Sequence, residues 1–241
     1  MDSSIKQKLQ NYKPGQSVAK LVEETQILLL VGPTGAGKDS VKDKLLQTAR
    51  YHHIISHTTR PPRINHGVIE HDGREYHFID KAEAKKMLDD QSLIEAKIYS
   101  DNLYGTSVSE IQAAHDEGKI AMTDIEVQGV AEYKALDPNT MAIFLLPPDF
   151  KIWQDRLRRR YGDVVDVADY RLRLETAQKE LEELLNTDYY VAVINNDLNK
   201  VVEQVETIVN SANHTSPDEP AARQVAQTLL EEIKNYLANS V

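Results

Sequence analysis

An apolar run, Ile27-Leu28-Leu29-Leu30-Val31, passes without a break into Gly32-Pro33-Thr34-Gly35-Ala36-Gly37-Lys38-Asp39-Ser40. A strand that is apolar at every position has to be covered on both faces, as a central strand of a parallel sheet is. Gly32, Gly35 and Gly37 allow a sharp turn that presents several backbone N–H groups to one anion, and Lys38 adds a point charge. Val41, Leu45, Leu46 and Ala49 then recur at helical spacing, so a helix is expected whose positive end aims at the same spot. Residues 32–40 are therefore a candidate phosphate-binding loop with GxxxxGK spacing. The next position, where that pattern has Ser or Thr to reach magnesium, holds Asp39, and the hydroxyl comes one residue later at Ser40.

With 241 residues the chain can form one α/β domain with an insertion, or two small domains. It has no cysteine, which excludes disulfides and thiolate zinc sites and fits a reducing compartment. The first ten residues lack the apolar centre of a signal sequence, and no run reaches membrane-span length. A cytoplasmic protein without a membrane partner is expected. The formal net charge of −10 argues against general nucleic-acid binding, although a phosphate site can be locally positive inside an acidic protein. No HExxH pair is present, so the histidines give no zinc centre.

Residues 1–25 are polar and read as a helical or frayed N-terminal extension. Apolar runs suited to buried strands recur at 120–123, 141–146 and 190–194, separated by helix-like segments, an alternation that implies a parallel sheet wrapped by helices. Ser107 with Glu110 reads as a capping box, Gly118 as the stop of that helix, and Asp80 with Glu83 as a similar start for a helix through Met87 and Leu88. Residues 56–106 break the rhythm with short alternating stretches and read as a small, mostly antiparallel insertion. From 211 to 241 a C-terminal helical extension is expected, with Pro220 in the first turn of its helix and Val225, Leu229, Ile233 and Tyr236 or Leu237 on one side. That helix could dock on the body or on a second subunit, which leaves a homodimer open.

The order of the remaining segments narrows the reading. SHTTRPPR (56–63) is followed by an acidic, glycine-containing stretch leading to Tyr76-His77-Phe78, then LIEAKIYSDNLYGTS (93–107), TDIEVQG (123–129), LLPPDF, RLRRRY, RLRLETAQKEL and INNDL. This series resembles the guanylate kinase family over about residues 27–209. The resemblance implies a P-loop NTPase core, a parallel sheet flanked by helices, within a kinase-like domain at 26–210. It also implies a GMP-binding insertion at 56–106 and a helical lid at 158–170.

The implied activity is phosphoryl transfer from MgATP to GMP or dGMP, giving ADP and GDP or dGDP, with closure excluding water and Mg2+ entering with ATP. By resemblance residues 32–40 bind ATP. Ser56, Arg60, Arg63, Tyr76, Glu95, Tyr104 and Thr106 match the family's GMP-binding residues. Lys38, Asp124, Arg160 and Arg173 match its catalytic ones, Asp124 near the acceptor and magnesium and the two arginines closing over the phosphates. The INNDL segment, 194–198, resembles the loop near the donor base.

The chemistry of these residues agrees. Guanine presents adjacent N1–H and N2–H donors beside its O6 acceptor, so a carboxylate paired with a hydroxyl, Glu95 with Thr106, is its complement. Arg60 and Arg63 can grip phosphate oxygens in pairs. Cations at Arg160 and Arg173 suit charge spread over the equatorial oxygens of a transferring phosphoryl group. Asp39 departs from this pattern, because a carboxylate beside donor phosphates repels them. Glu126, where the family commonly has Asp, is a second departure, and the long stretch 64–75 is a third. Two other readings therefore stay open at this point: a weak or inactive guanylate-kinase-like interaction module, and a related kinase with a different acceptor.

Overall fold

The computed structural model describes residues 3–65, 68–161 and 167–239, beginning with α1 (Ser3–Gln10), α2 (Gln16–Glu24), β1 (Ile27–Val31) and α3 (Lys38–Leu46). Short strands follow: β2 (Tyr51–His53), β3 (His57–Thr58), β4 (Ile64–Asn65), β5 (Val68–Ile69) and β6 (His77–Phe78). Next come α4 (Lys81–Asp89), β7 (Leu93–Tyr99), β8 (Asn102–Ser107), α5 (Val108–Asp116), β9 (Ile120–Asp124) and α6 (Val127–Leu136). β10 (Met141–Leu146), α7 (Phe150–Tyr161), α8 (Val167–Asn186), β11 (Tyr190–Ile194), α9 (Leu198–Asn210) and α10 (Glu219–Asn239) complete the order. The chain divides into two units, one of residues 1–27, 49–123 and 128–140, the other of 28–48, 124–127 and 141–241.

In the second unit β10 pairs in parallel with β1 on one side and β11 on the other. Every residue of β1 and β10 is buried, as strands covered on both faces must be. α10 lies against β10, β11, α7 and α8, and α3 lies against α9. The expected α/β architecture, parallel strands flanked by helices, is therefore present.

Two local expectations differ in this unit. α3 stops at Leu46 and leaves Ala49 exposed in the following turn. α10 buries Ala222, Ala226, Leu229, Leu230 and Ile233, whereas Val225 is only half-buried and Tyr236 is exposed. The small alanines let the helix approach closely, so its buried stripe is rotated from the one that bulky residues alone suggest. Those residues are used within the unit itself.

In the first unit β2 pairs in parallel with β9. A separate four-stranded sheet has the order β6-β3-β8-β7, antiparallel at β3–β8 and β7–β8 and parallel at β3–β6. The N-terminal residues are two helices here. Ile5 of α1 is fully buried with Ala84, Leu88, Leu93, Ala96 and Leu103, and the Tyr12 hydroxyl donates to Leu93 O at 2.6 Å. Asp80 caps α4 by accepting from Glu83 N–H. The expected Ser107–Glu110 capping box is not formed. Ser107 makes no side-chain cap bond, and Glu110 instead accepts from Ile55 N–H at 2.7 Å and meets His77 Nε2 at 3.0 Å. Tertiary partners outbid a local one.

Candidate active site

Residues 32–37 form the turn from β1 into α3. A Cβ on Gly32 would lie 2.2 Å from the Leu145 carbonyl oxygen, and one on Gly37 2.2 Å from the Asn195 amide nitrogen. With φ of +131° and +97° these positions suit only glycine. Side chains fix the turn through its carbonyls: Trp153 Nε1 donates to Thr34 O at 2.7 Å and Asn195 Nδ2 to Ala36 O at 2.8 Å. Asn195 is itself held, because its carbonyl accepts from Arg156 Nη2 and its N–H donates to Leu146 O, both at 2.7 Å.

Lys38 opens α3, and its ammonium donates to the Gly32 and Pro33 carbonyls. One turn later Lys42 pairs with Asp124 at the end of β9. Burial pushes the Asp124 carboxyl up, but Lys42 and then Lys38 outweigh it, and the group sits below the ordinary carboxylate range. Asp124 is thus held ionised. Glu180 on α8 is buried, and its Oε2 has no hydrogen-bond partner. Burial pushes its pKa up to about 7, opposed by Lys38 and reinforced by Glu126.

Asp39 and Ser40 are both exposed at the start of α3. Asp39 accepts from Arg160 Nη1 at 3.1 Å, and Arg173 Nε donates to Asp169 Oδ2 at 2.8 Å. Of the expected lid, residues 162–166 lie outside the described residues.

The residues expected on the acceptor side all belong to the first unit. Glu95 on β7 stands opposite Thr106 on β8 in register, and Thr106 Oγ1 donates to Glu95 Oε1 at 2.9 Å. Burial, helped by the charge of Glu132, pushes the Glu95 pKa up to about 7 against the Thr106 hydrogen bond and Lys97. The fully buried Tyr133 of α6 has its pKa raised by burial and by Glu95.

Arg60 is buried, and its guanidinium lies 5.3 Å from the Tyr76 ring centre and 5.8 Å from that of Phe78. Tyr76 and Tyr104 meet edge to face at 5.8 Å. Arg63 is exposed, and Ser56 takes part through its carbonyl, which accepts from His77 N–H at 2.9 Å.

The structure brings Arg60, Tyr76 and Tyr104 together, and likewise Glu95 with Thr106. In the other unit it joins Asp39 to Arg160 and places Asp124 within the field of Lys38. Three participants are not singled out by sequence motifs. Lys42 has a legible signal, since it follows Lys38 by four residues on one helix face. Glu180 has one too, because its spacing from Ala177 and Leu184 sets it on the buried stripe of α8. Glu70, which pairs with Arg60, has none, as its loop has no periodicity.

The model of the guanylate kinase family matches residues 24–212. A guanylate kinase of Latilactobacillus sakei is 32% identical over 193 residues, covering 79% of this chain and 91% of the relative. One of Schizosaccharomyces pombe is 35% identical over 184 residues, covering 75% and 88%. The crystal structure of guanylate kinase from Anaplasma phagocytophilum shares the fold, with a TM-score of 0.57 at 24% identity, covering 77% of this chain and 84% of that one.

Proposed function

The chain belongs to the guanylate kinase family, and from that premise we infer its reaction: transfer of the terminal phosphoryl group of ATP to GMP or dGMP, giving ADP and GDP or dGDP. The observation that carries the choice of acceptor is the buried Glu95–Thr106 pair. An ionised Glu95 receives the N1–H and N2–H of guanine, whereas adenine would set an unprotonated N1 against it. Arg60, Arg63, Tyr76 and Tyr104 hold the acceptor phosphate, and Ser56 adds a hydroxyl toward the base.

On the donor side residues 32–40 cradle the ATP phosphates, and Lys38 neutralises charge on the group in flight. Arg160 and Arg173 stabilise the equatorial oxygens of the transition state, a purely electrostatic contribution that needs no covalent intermediate. Mg2+ takes few protein ligands and relies on substrate phosphates and water. An Asp124 carboxylate held ionised, with the exposed Ser40 hydroxyl, fits that requirement. The ion, when bound, neutralises phosphate charge. Asp124 also orients the acceptor, the kinase-like domain spans 26–210 with shorter extensions on either side, and the setting is cytoplasmic. Among the described residues no helix is long and apolar enough to cross a membrane.

A coupled assay of ADP release against a panel of nucleoside monophosphates tests this reading. Turnover confined to GMP and dGMP is the expected result. Turnover with AMP or UMP at comparable rates would remove Glu95 from the base pocket, and none with any acceptor would leave a binding module.

A further inference from the structure

We propose that Glu70 is a positioning residue for the acceptor phosphate, orienting the Arg60 guanidinium so that one two-pronged donor edge is left for that phosphate. The inference rests on the reading that Arg60 holds the acceptor phosphate. A guanidinium has five N–H donors in a fixed plane. Nη1 and Nη2 each give one to the two oxygens of Glu70, at 2.8 and 3.0 Å, and Nη1 gives its second to the Pro61 carbonyl at 2.8 Å. Apart from a contact with the Tyr104 hydroxyl, what remains is Nε–H with the second Nη2–H. These two lie on one side of the plane, parallel, at the spacing that matches two oxygens of a phosphate. Arg60 Nε is buried and has no hydrogen-bond partner, a costly state for a donor unless a ligand completes it.

The surroundings fix both the plane and the carboxylate. The Tyr76 and Phe78 rings border the guanidinium, and Tyr104 lies beside it and joins Glu70 in raising its pKa against the effect of burial. Glu70 Oε2 also accepts from Arg63 N–H at 2.8 Å, while Glu70 N–H donates back to Arg63 O at 2.9 Å. The segment between these two residues, which carries the paired strands β4 and β5, is thereby closed at its base by Glu70. A longer acceptor loop therefore still delivers a fixed carboxylate.

Two effects of Glu70 oppose each other. Its charge repels the incoming phosphate, but it also neutralises a buried arginine and removes the rotational freedom that binding would otherwise have to remove. The carboxylate occupies the neighbouring Nη1/Nη2 edge and leaves Nε untouched, which favours the second effect.

The experiment uses the full chain, with GMP varied at saturating MgATP, and guanosine as a competitive probe that has the base without the phosphate. Glu70→Gln should raise the KM for GMP by roughly 10- to 100-fold, with a smaller change in kcat and none in the inhibition constant of guanosine. In an Arg60→Ala background the same substitution should add nothing further, since Glu70 acts through Arg60. An unchanged or lowered KM for GMP in Glu70→Gln, beside an impaired Arg60→Ala, overturns the inference, as does an additive double variant. If Arg60→Ala itself leaves the KM for GMP unchanged, the underlying phosphate-site reading is what fails. Should Glu70→Gln melt below the assay temperature, Glu70→Asp replaces it. That variant keeps the charge but sets the carboxylate one methylene short of the guanidinium, and a parental KM for GMP there overturns the inference equally.

Discussion

Asp39 Oδ2 accepts a hydrogen bond from Arg160 Nη1 at 3.1 Å, both side chains about half exposed. The carboxylate that departs from the phosphate-loop pattern is thus compensated by the arginine expected to close over the phosphates. An exposed pair of this kind contributes about 0–1 kcal/mol to stability. Its consequence for function is competition, because Arg160 cannot serve Asp39 and a phosphate equally.

Replacing Asp39 by Asn should therefore lower the KM for MgATP about two- to fivefold, by removing repulsion and releasing Arg160, with a melting temperature close to the parent's. The gain should shrink at high salt. Steady-state kinetics at two ionic strengths measures both effects, and a raised KM would mean that the pair instead holds Arg160 in its working position. Ser40→Ala, by contrast, should raise the Mg2+ concentration needed for half-maximal rate.

Lys38→Met, Arg160→Ala and Arg173→Ala should each lower turnover by roughly 10²-fold or more, since each deletes positive charge at the moving phosphoryl group. Rapid-quench measurement of the transfer step separates this from slow product release. Parental rates in all three would place the chemistry elsewhere.

Glu95 must be ionised to receive both guanine donors, and its pKa in the free protein is pushed up to about 7. Binding of guanosine, which carries no phosphate to titrate, should weaken progressively as pH falls from about 8 to about 6. Glu95→Gln should bind guanosine poorly and without this dependence while MgATP binding is retained. Calorimetry across that range reads both, and a flat profile in the parent would show that Glu95 does not meet the base.

The same pKa has a thermodynamic sign. Glu95 and Glu180 are both raised to about 7 in the folded protein, so the folded state holds protons that the unfolded chain has released. Their stabilising contribution is complete below the unfolded carboxylate pKa and is lost as pH rises through about 7. His57 works in the opposite direction. Burial and His77 lower it to about 4 from 6.5, so its effect ends near pH 6.5. Between about pH 6.5 and 8 stability should then decline, by at most about 1.4 kcal/mol per pH unit for each proton released. Urea denaturation at several pH values should show a shallower decline for Glu180→Gln, and an identical slope would exclude Glu180 as a source.

Some features of this protein were present in residue order alone. β1 is buried at every position because Ile27–Val31 offers nothing to water, and the glycine pattern after it admits a backbone that other residues resist. Asp80 accepts from Glu83 N–H, as its spacing implies. These are local determinants, in which neighbours a few residues apart settle the outcome. Glu95 and Thr106, eleven residues apart, are paired by the family resemblance and the donors of guanine, and the antiparallel β7–β8 pairing sets them in register.

Other features depend on partners that residue order does not bring together. Glu110 left its helix cap for Ile55 and His77, since a partly buried bond to a distant group outweighs a local one in water. Asp39 found Arg160 across 121 positions of chain. Glu70 closed on Arg60 from a loop with no periodic signal. Charges choose partners by distance in space and by the loss of water around them, and only the folded chain sets either.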